Sequence, residues 1–577
     1  LAGPHQAGPQ VLNFSPRVSS RRQLGRSADP AAIQPCYLSS LEVADMAADL
    51  PREISRRRTF AIISHPDAGK TTLTENLLLY SGAVRSAGSV SAKKGQRHAT
   101  SDWMTMEQQR GISITSSALQ FEYDAWVINL LDTPGHEDFS EDTYRTLMAV
   151  DSAVMVLDAG KGVELQTRKL FAVCRQRGIP IFTFINKMDR PGLDPFDLLN
   201  EVEKVLGITA HPLTWPIGEP GDFQGVYELD TQKMHLFERS EGNRHRAPVQ
   251  TAGLHDPTLA QTVEPRHLQR LLADLELIEG GLQTFDRQEL LSGKVTPVFF
   301  GSALTHFGVE NFLQRFIDLA PAPGPMPAEP APVAPETDCF SGFVYKIQAN
   351  MDRAHRDRVA FIRVVSGRFE RGMKANHVRL AREIKMSYPC RLFAGERFTI
   401  DEAFPGDVMG LVNPGIFRIG DVISSGEGYQ VPRFPVFPPE KFLAVIPPDP
   451  SRRKSFQKGL EQLGEEGVIQ IFQRPDGFSA PVIAAVGQLQ FEVFLARMAE
   501  EYQVELKTDP LPYTLCRWVG RAGYQPQSGD LLKLMLDAEG QAVLLFQGEW
   551  EIQFALKNYP ALQLHTAPEG MVSIHQI

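Results

Sequence analysis

The stretch Phe60-Ala61-Ile62-Ile63-Ser64-His65-Pro66-Asp67-Ala68-Gly69-Lys70-Thr71-Thr72 decides the fold. Four consecutive apolar residues ending in a β-branched pair read as a buried strand. At Ser64 the run gives way to a turn bearing Gly69 and Lys70, and helical spacing then continues through Leu73 and Leu77. A strand, a turn of this composition and a helix make a phosphate-binding loop. Gly69 lets backbone N–H groups face an anion, and the helix N-terminus adds positive potential. Lys70 reaches the β- and γ-phosphates, and the Thr71 hydroxyl is a Mg²⁺ ligand. Ser64 stands where the strict pattern has glycine. Asp67 reads either as helping to hold a monovalent cation or as capping the loop.

Further apolar runs at Trp126–Leu131, Ala153–Leu157, Ile181–Ile185 and Val295–Phe300 are separated by helix-length segments, the pattern of a buried parallel sheet. Three of them end in residues suited to a nucleotide. Trp126–Leu131 runs into Asp132-Thr133-Pro134-Gly135-His136. The Asp132 carboxylate can hold Mg²⁺ through water, the Gly135 N–H can approach a γ-phosphate, and His136 is the candidate for positioning an attacking water. Ile181–Ile185 ends in Asn186-Lys187-Met188-Asp189. The Asp189 carboxylate can accept both N1–H and the exocyclic amine proton of guanine, a donor pair that adenine lacks. Val295–Phe300 ends in Gly301-Ser302-Ala303, whose backbone can contact the guanine O6. Their shared position after strand ends, where open α/β sheets bind ligands, predicts a GTP and GDP site.

Between Lys70 and Asp132 a polar stretch, Ser86–Gln109, precedes Arg110-Gly111-Ile112-Ser113-Ile114-Thr115. A Ser113 hydroxyl that joins Mg²⁺ only in the presence of the γ-phosphate would order this segment with GTP and loosen it after hydrolysis. No arginine is assigned to stabilise the transition state in cis, so slow intrinsic hydrolysis and activation by a partner are expected.

The 577 residues predict about three or four domains. With 59 Lys and Arg against 69 Asp and Glu, the net charge of −10 excludes a polycation that coats nucleic acid, so any RNA contact is local. Cys36, Cys174, Cys339, Cys390 and Cys516 form no C-x-x-C pair, which argues against a zinc or redox motif and for a reducing compartment. No apolar run approaches the roughly 18 residues of a membrane helix. Seven prolines between Pro321 and Pro335 predict a stiff linker at 321–337. Before it, 56–320 reads as an α/β P-loop GTPase domain with an insert at about 207–290. After it, glycine-punctuated short strands predict a β-barrel domain at 338–437. Phe456, Leu460 and Leu463 on one helical face, and Phe491, Phe494, Leu495 and Met498 on another, alternate with strand-like Val468–Phe472 and Val482–Val486. This predicts a small α+β domain at 438–577.

Residues 1–45 are rich in Pro, Ser, Ala and Gly and begin at Leu1. They are expected to be disordered, and 1–55 to lie outside the fold. Asp29 is the only acidic residue before Glu42, beside Arg17, Arg21, Arg22 and Arg26, a composition shared with organelle transit peptides. The preferred reading is upstream sequence ahead of a start at Met46.

Asp132–His136, Asn186–Asp189 and Arg110–Ile114 together resemble the translational GTPases. Within that superfamily, Arg57–Thr72, Trp215-Pro216-Ile217-Gly218, Phe343–Met351, His355–Gly367, Lys458–Gly467 and Val486–Val493 resemble the GTPase class of peptide chain release factors. The resemblance covers nearly all of 56–577. Ser113 stands where many relatives carry threonine, and either hydroxyl can serve as a ligand. The resemblance implies a ribosome-dependent hydrolase, GTP + H₂O → GDP + phosphate, that promotes dissociation of class I peptide release factors after peptide release. It implies rRNA and ribosomal proteins as partners, with Arg452-Arg453-Lys454 as candidate phosphate contacts. It also implies a monomer in a bacterial-type cytoplasm, with a plastid stroma as the lesser alternative. The second reading is another ribosomal GTPase of elongation-factor type, disfavoured because only about 140 residues follow the barrel. An associated GTPase subunit of sulfate adenylylation and a binding module with a degenerate nucleotide site are further alternatives. Trp215–Gly218 and Val486–Val493 argue against the first, and intact Lys70, Thr71, Asp132, Asn186 and Asp189 against the second.

Overall fold

Apolar runs with no polar face have to sit between two layers of helices, and this chain uses them that way. The structure is a computed structural model that describes residues 49–84, 104–110, 112–237, 249–253, 263–281, 284–350, 357–393, 396–476, 480–526, 532–569 and 571–574. Strands β1 (Arg57–Ser64), β2 (Ser117–Tyr123), β3 (Trp126–Asp132), β4 (Ser152–Asp158), β5 (Ile181–Asn186) and β6 (Thr209–Pro212) come first. A four-stranded antiparallel sheet follows, of β7 (Thr214–Glu219), β8 (Asp222–Glu228), β9 (Lys233–Phe237) and β10 (Val249–Gly253), and then β11 (Val295–Phe300).

Seven described strands form the main sheet in the order β2-β3-β1-β4-β5-β11-β6. All pairs are parallel except β2 with β3, which are joined by the tight turn Asp124-Ala125. Every residue of β1 is buried. Phe60 and Ile62 point into one core with Phe182, Phe299, Phe312 and Phe316, while Ala61 and Ile63 point into the other with Met155, Leu157, Ile181 and Ile185. The sheet is thus covered on both faces, and the α/β expectation holds.

The barrel domain holds an eight-stranded antiparallel sheet among the described residues, centred on β12 (Ser341–Ala349) and β13 (Arg358–Ser366). In the last region, helices Arg453–Glu465 and Gln488–Glu500 bury Phe456, Leu460 and Leu463, and Phe491, Phe494 and Met498, against a four-stranded sheet. A second four-stranded sheet, which the sequence pattern does not predict, joins Leu515–Val519, Lys533–Leu536, Ala542–Phe546 and Leu564–His565.

Three expectations need correction. The fold does not begin at residue 56: residues 49–55 are helical, and Leu50 and Ile54 pack on Phe404 of the barrel. The stiff linker expected at 321–337 does not stand clear of its neighbours: Met326 pairs with Val333, Glu329 pairs with Gln430, and Met326, Ala328 and Val333 lie against the core. The insert does not begin at 207, since β6 belongs to the main sheet and the separate sheet starts at β7. The expectations for 1–45, Met46, Cys36, Met351 and His355 lie outside the described residues.

The barrel is bonded directly to the GTPase domain. Arg57 Nε donates to Asp407 Oδ1 at 2.9 Å, and Thr59 Oγ donates to the Gly406 carbonyl at 2.7 Å. From β12, Lys346 Nζ reaches the Ser116 carbonyl at 2.7 Å and Asp142 Oδ2 at 3.1 Å.

Candidate functional site

Parallel strands all end on the same side of their sheet, so the loops after β1, β3, β5 and β11 are brought to one edge. After β1 the backbone turns left-handed at Asp67 (φ 65°) and Gly69 (φ 95°) before the helix Lys70–Tyr80. Gly69 is required twice. A Cβ there would lie 2.2 Å from Asn186 Nδ2 as well as straining the backbone. Gly69 is itself the helix N-cap and no side chain caps that end, so Asp67 does not act as the cap. Ser64 Oγ donates to the His65 carbonyl at 2.9 Å, and His65 Nε2 lies 3.2 Å from Glu164 Oε1.

Lys70 is buried, with Nζ 3.1 Å from Asp132 Oδ1 at the end of β3. The other oxygen, Asp132 Oδ2, is buried without a hydrogen-bond partner. Thr71 Oγ lies 3.2 Å from Ser113 Oγ, so the hydroxyls read as metal ligands face each other. Thr133 Oγ donates to the Ile62 carbonyl at 2.6 Å, which ties the loop after β3 back to β1. Gly135 passes close to Pro66; a Cβ on Gly135 would lie 3.4 Å from the Pro66 backbone. His136 opens the short 3₁₀ turn Glu137–Phe139, and its Nδ1 accepts the Asp138 N–H at 3.2 Å.

At the other end of the edge, Asn186 joins three loops. Its Nδ2 donates to the Ala68 carbonyl at 2.8 Å, and its Oδ1 accepts the Ala303 N–H at 2.8 Å. Lys187 is left-handed (φ 67°) and pairs through Nζ with Asp158 at 2.9 Å. Burial alone would raise the Asp158 carboxyl, yet Lys187 and the Gly160 N–H hold it below the usual carboxylate range. Met188 is fully buried, and its N–H donates to the Gly301 carbonyl at 3.2 Å. Ser302 Oγ donates to Asp189 Oδ1. Gly301 admits no side chain, because a Cβ would lie 2.6 Å from the Phe184 ring. The loops singled out in the sequence therefore sit along one edge, with Lys70, Thr71, Ser113 and Asp132 at one end and Asp189 and Ser302 at the other.

Of the segment between Lys70 and Asp132, residues 85–103 and Gly111 lie outside the described residues. The rest is organised by two carboxylates that no sequence motif marks. Glu107 accepts the N–H groups of Met104, Ile114 and Thr115, and Asp142 accepts that of Ser116 at 2.7 Å.

The chain matches three family models in succession: the elongation factor Tu GTP binding domain over residues 55–322, elongation factor G domain 2 over 339–426, and the class II release factor RF3 C-terminal domain over 431–556. It is 52% identical to peptide chain release factor 3 of Gloeobacter violaceus over 89% of this chain and 98% of the relative. The chain belongs to the peptide chain release factor 3 family. Relatives of that name in Symbiobacterium thermophilum (52% identity, 89% and 98% coverage) and Nostoc punctiforme (53%, 90% and 97%) agree. A crystal structure of a Thermus thermophilus protein shares the fold at a TM-score of 0.64, with 22% identity over 84% of this chain and 72% of that one. Membership in the release factor 3 family makes the chain a translational GTPase of termination and a GTP hydrolase. Among the described residues no helix is long and apolar enough to cross a membrane.

Proposed function

We propose that this chain binds GTP with Mg²⁺ at the edge described above, hydrolyses it on the ribosome, and uses the resulting switch to promote dissociation of class I release factors. The observation that carries this reading is the convergence of Lys70, Thr71, Ser113 and Asp132 at one end of an edge whose other end presents Asp189, in a chain whose last region matches a release factor C-terminal domain.

The donor set fits Mg²⁺, which takes hard oxygen ligands. Two facing hydroxyls and a buried carboxylate oxygen with no partner are such ligands. Thr71, Ser113 and Asp132 would hold the ion, which would supply positive charge to offset that of the phosphates. Lys70 leaves Asp132 for the phosphates, the loop N–H groups around Gly69 cradle them, and Gly135 lies beside that loop to sense the γ-phosphate. The Asp189 carboxylate, fixed by Ser302, reads guanine, and the Ala303 backbone abuts it. His136 orients the water that attacks the γ-phosphate.

Neither Ser64–Thr72 nor Asp132–His136 contains an arginine, and Arg110 is paired with Glu492 at 2.6 Å. Slow hydrolysis without a partner follows, and the ribosome supplies the missing stimulation. Arg452, Arg453 and Lys454 are exposed and available to RNA phosphates. Cys174 and Cys516 are free and buried, with thiols pushed up to about 12 by burial, which suits a reducing cytoplasm. We read the protein as a monomer. The test is GTP turnover with and without ribosomes: strong stimulation in the wild type and none in His136→Ala supports the reading, while equal turnover in the two refutes it.

A further inference from the structure

The N-cap residue of helix Gln488–Glu500 in the C-terminal region is Gly487, which has no side chain to cap the Leu489 N–H, while Gln490 Oε1 of the helix accepts the Gly487 N–H at 3.2 Å. For the Leu489 N–H the cap arrives from the GTPase domain. Asp138 Oδ2 accepts the Leu489 N–H at 2.8 Å, 351 residues away in sequence, where a carboxylate also meets the positive end of the helix dipole. The other carboxylate oxygen, Oδ1, lies 3.3 Å from His136 Nδ1. Gly487 is extended (φ −133°), so its backbone does not demand glycine. Space does: a Cβ at 487 would lie 1.9–2.1 Å from the Asp138 carboxyl atoms. Around this contact Ile114 and Phe139 of the GTPase domain pack on Leu489 and Val493 of the helix, and Arg110 pairs with Glu492.

We propose that Asp138 is a positioning residue for His136, set from the C-terminal region through the N-terminus of helix Gln488–Glu500. A histidine that works through one ring nitrogen has its tautomer and ring orientation fixed by what holds the other. Here Nδ1 faces Asp138 in either form: unprotonated it accepts the backbone N–H, and carrying a proton it donates to the carboxylate, so the carboxylate favours the Nδ1–H form and leaves the Nε2 lone pair for the reaction. The carboxylate is in turn fixed by the Leu489 N–H. Docking of the C-terminal region therefore determines the orientation of His136, and a partner that moves that region changes hydrolysis without touching the nucleotide. This inference rests on the role given to His136 above.

The test compares Gly487→Ala, Asp138→Ala and Asp138→Asn with the wild type and His136→Ala, in the full chain with ribosomes. In Gly487→Ala the new methyl group displaces the Asp138 carboxylate while leaving every nucleotide-site residue intact. The expected result is an unchanged Kd for a fluorescent GTP analogue and an unchanged KM for ribosomes. The kcat should be lower by roughly ten- to a hundredfold, the scale of a misplaced reacting group. Asp138→Ala should match it, the double variant should be no slower than Asp138→Ala, and Asp138→Asn, which keeps a carbonyl oxygen for the Leu489 N–H, should recover part of the rate. If Gly487→Ala does not fold, the two Asp138 variants carry the test. Wild-type or raised kcat in Asp138→Ala, with His136→Ala inactive, overturns the coupling alone; full activity in His136→Ala overturns the reading beneath it.

Discussion

Lys346 of the barrel and Asp142 of the GTPase domain form a largely buried ion pair at 3.1 Å, and both also hold Ser116, the last residue before β2. The barrel thus reaches the segment that carries Ser113 through a charge. Burial alone would raise the Asp142 carboxyl, but the Lys346 ammonium and the Ser116 N–H hold it below its usual 3.8.

Lys346→Ala leaves that largely buried carboxylate without its cation, so we expect a loss of about 2–3 kcal/mol of stability, read as a lower unfolding temperature. A carboxyl depressed in the folded state contributes stability that is present above its unfolded value and lost as pH falls through its folded value. Wild-type stability should therefore fall as pH drops below about 4, and the Lys346→Ala profile should be flatter there. Parallel profiles in the two proteins would show that the pair does not set this dependence.

Lys70→Ala removes the cation that we propose meets the phosphates. Charge-assisted bonds contribute about 1.5–3 kcal/mol each, so GTP affinity should fall by about ten- to a hundredfold for each such bond lost in a fluorescent-nucleotide titration. Unaltered binding would sink the site assignment.

Asn186→Ala strips partners from the Ala68 carbonyl and the Ala303 N–H, which it joins at 2.8 Å each. Two buried groups left unpaired should cost about 2 kcal/mol or more and weaken GDP as well as GTP. Thermal unfolding and nucleotide titration read the two effects separately.

Asp189→Asn replaces a carboxylate acceptor with an amide donor, so selectivity should relax from guanine toward xanthine nucleotides. Competition between GTP and XTP measures it, and an unchanged preference would take Asp189 out of base reading.

The nucleotide edge is legible in the sequence because its chemistry is local: each motif is a few fixed residue types placed directly after an apolar run. The strands themselves are legible because burial on both faces leaves no polar alternation. Ser117–Tyr123 carries a weaker signal, in which Leu119 and Phe121 alternate with polar neighbours, the pattern of an edge strand with one covered face. Residues 49–55 offer only Leu50 and Ile54 among charged neighbours, and their burial depends on Phe404, far along the chain. Lys346 and Asp138 are illegible for the same reason. A lone lysine in a strand, or an aspartate two residues after a histidine, reads as solvated until the partner from another domain is in view. The same tertiary contacts explain why any larger residue at 487 would push the Asp138 carboxylate aside.

The most direct test of the release function places a labelled class I release factor on ribosomes after peptide release, adds this protein with GTP, and follows loss of the label. Dissociation should be faster with GTP, absent with Lys70→Ala, and slowed in His136→Ala. Ribosome-stimulated GTP hydrolysis with the label still bound would contradict that function.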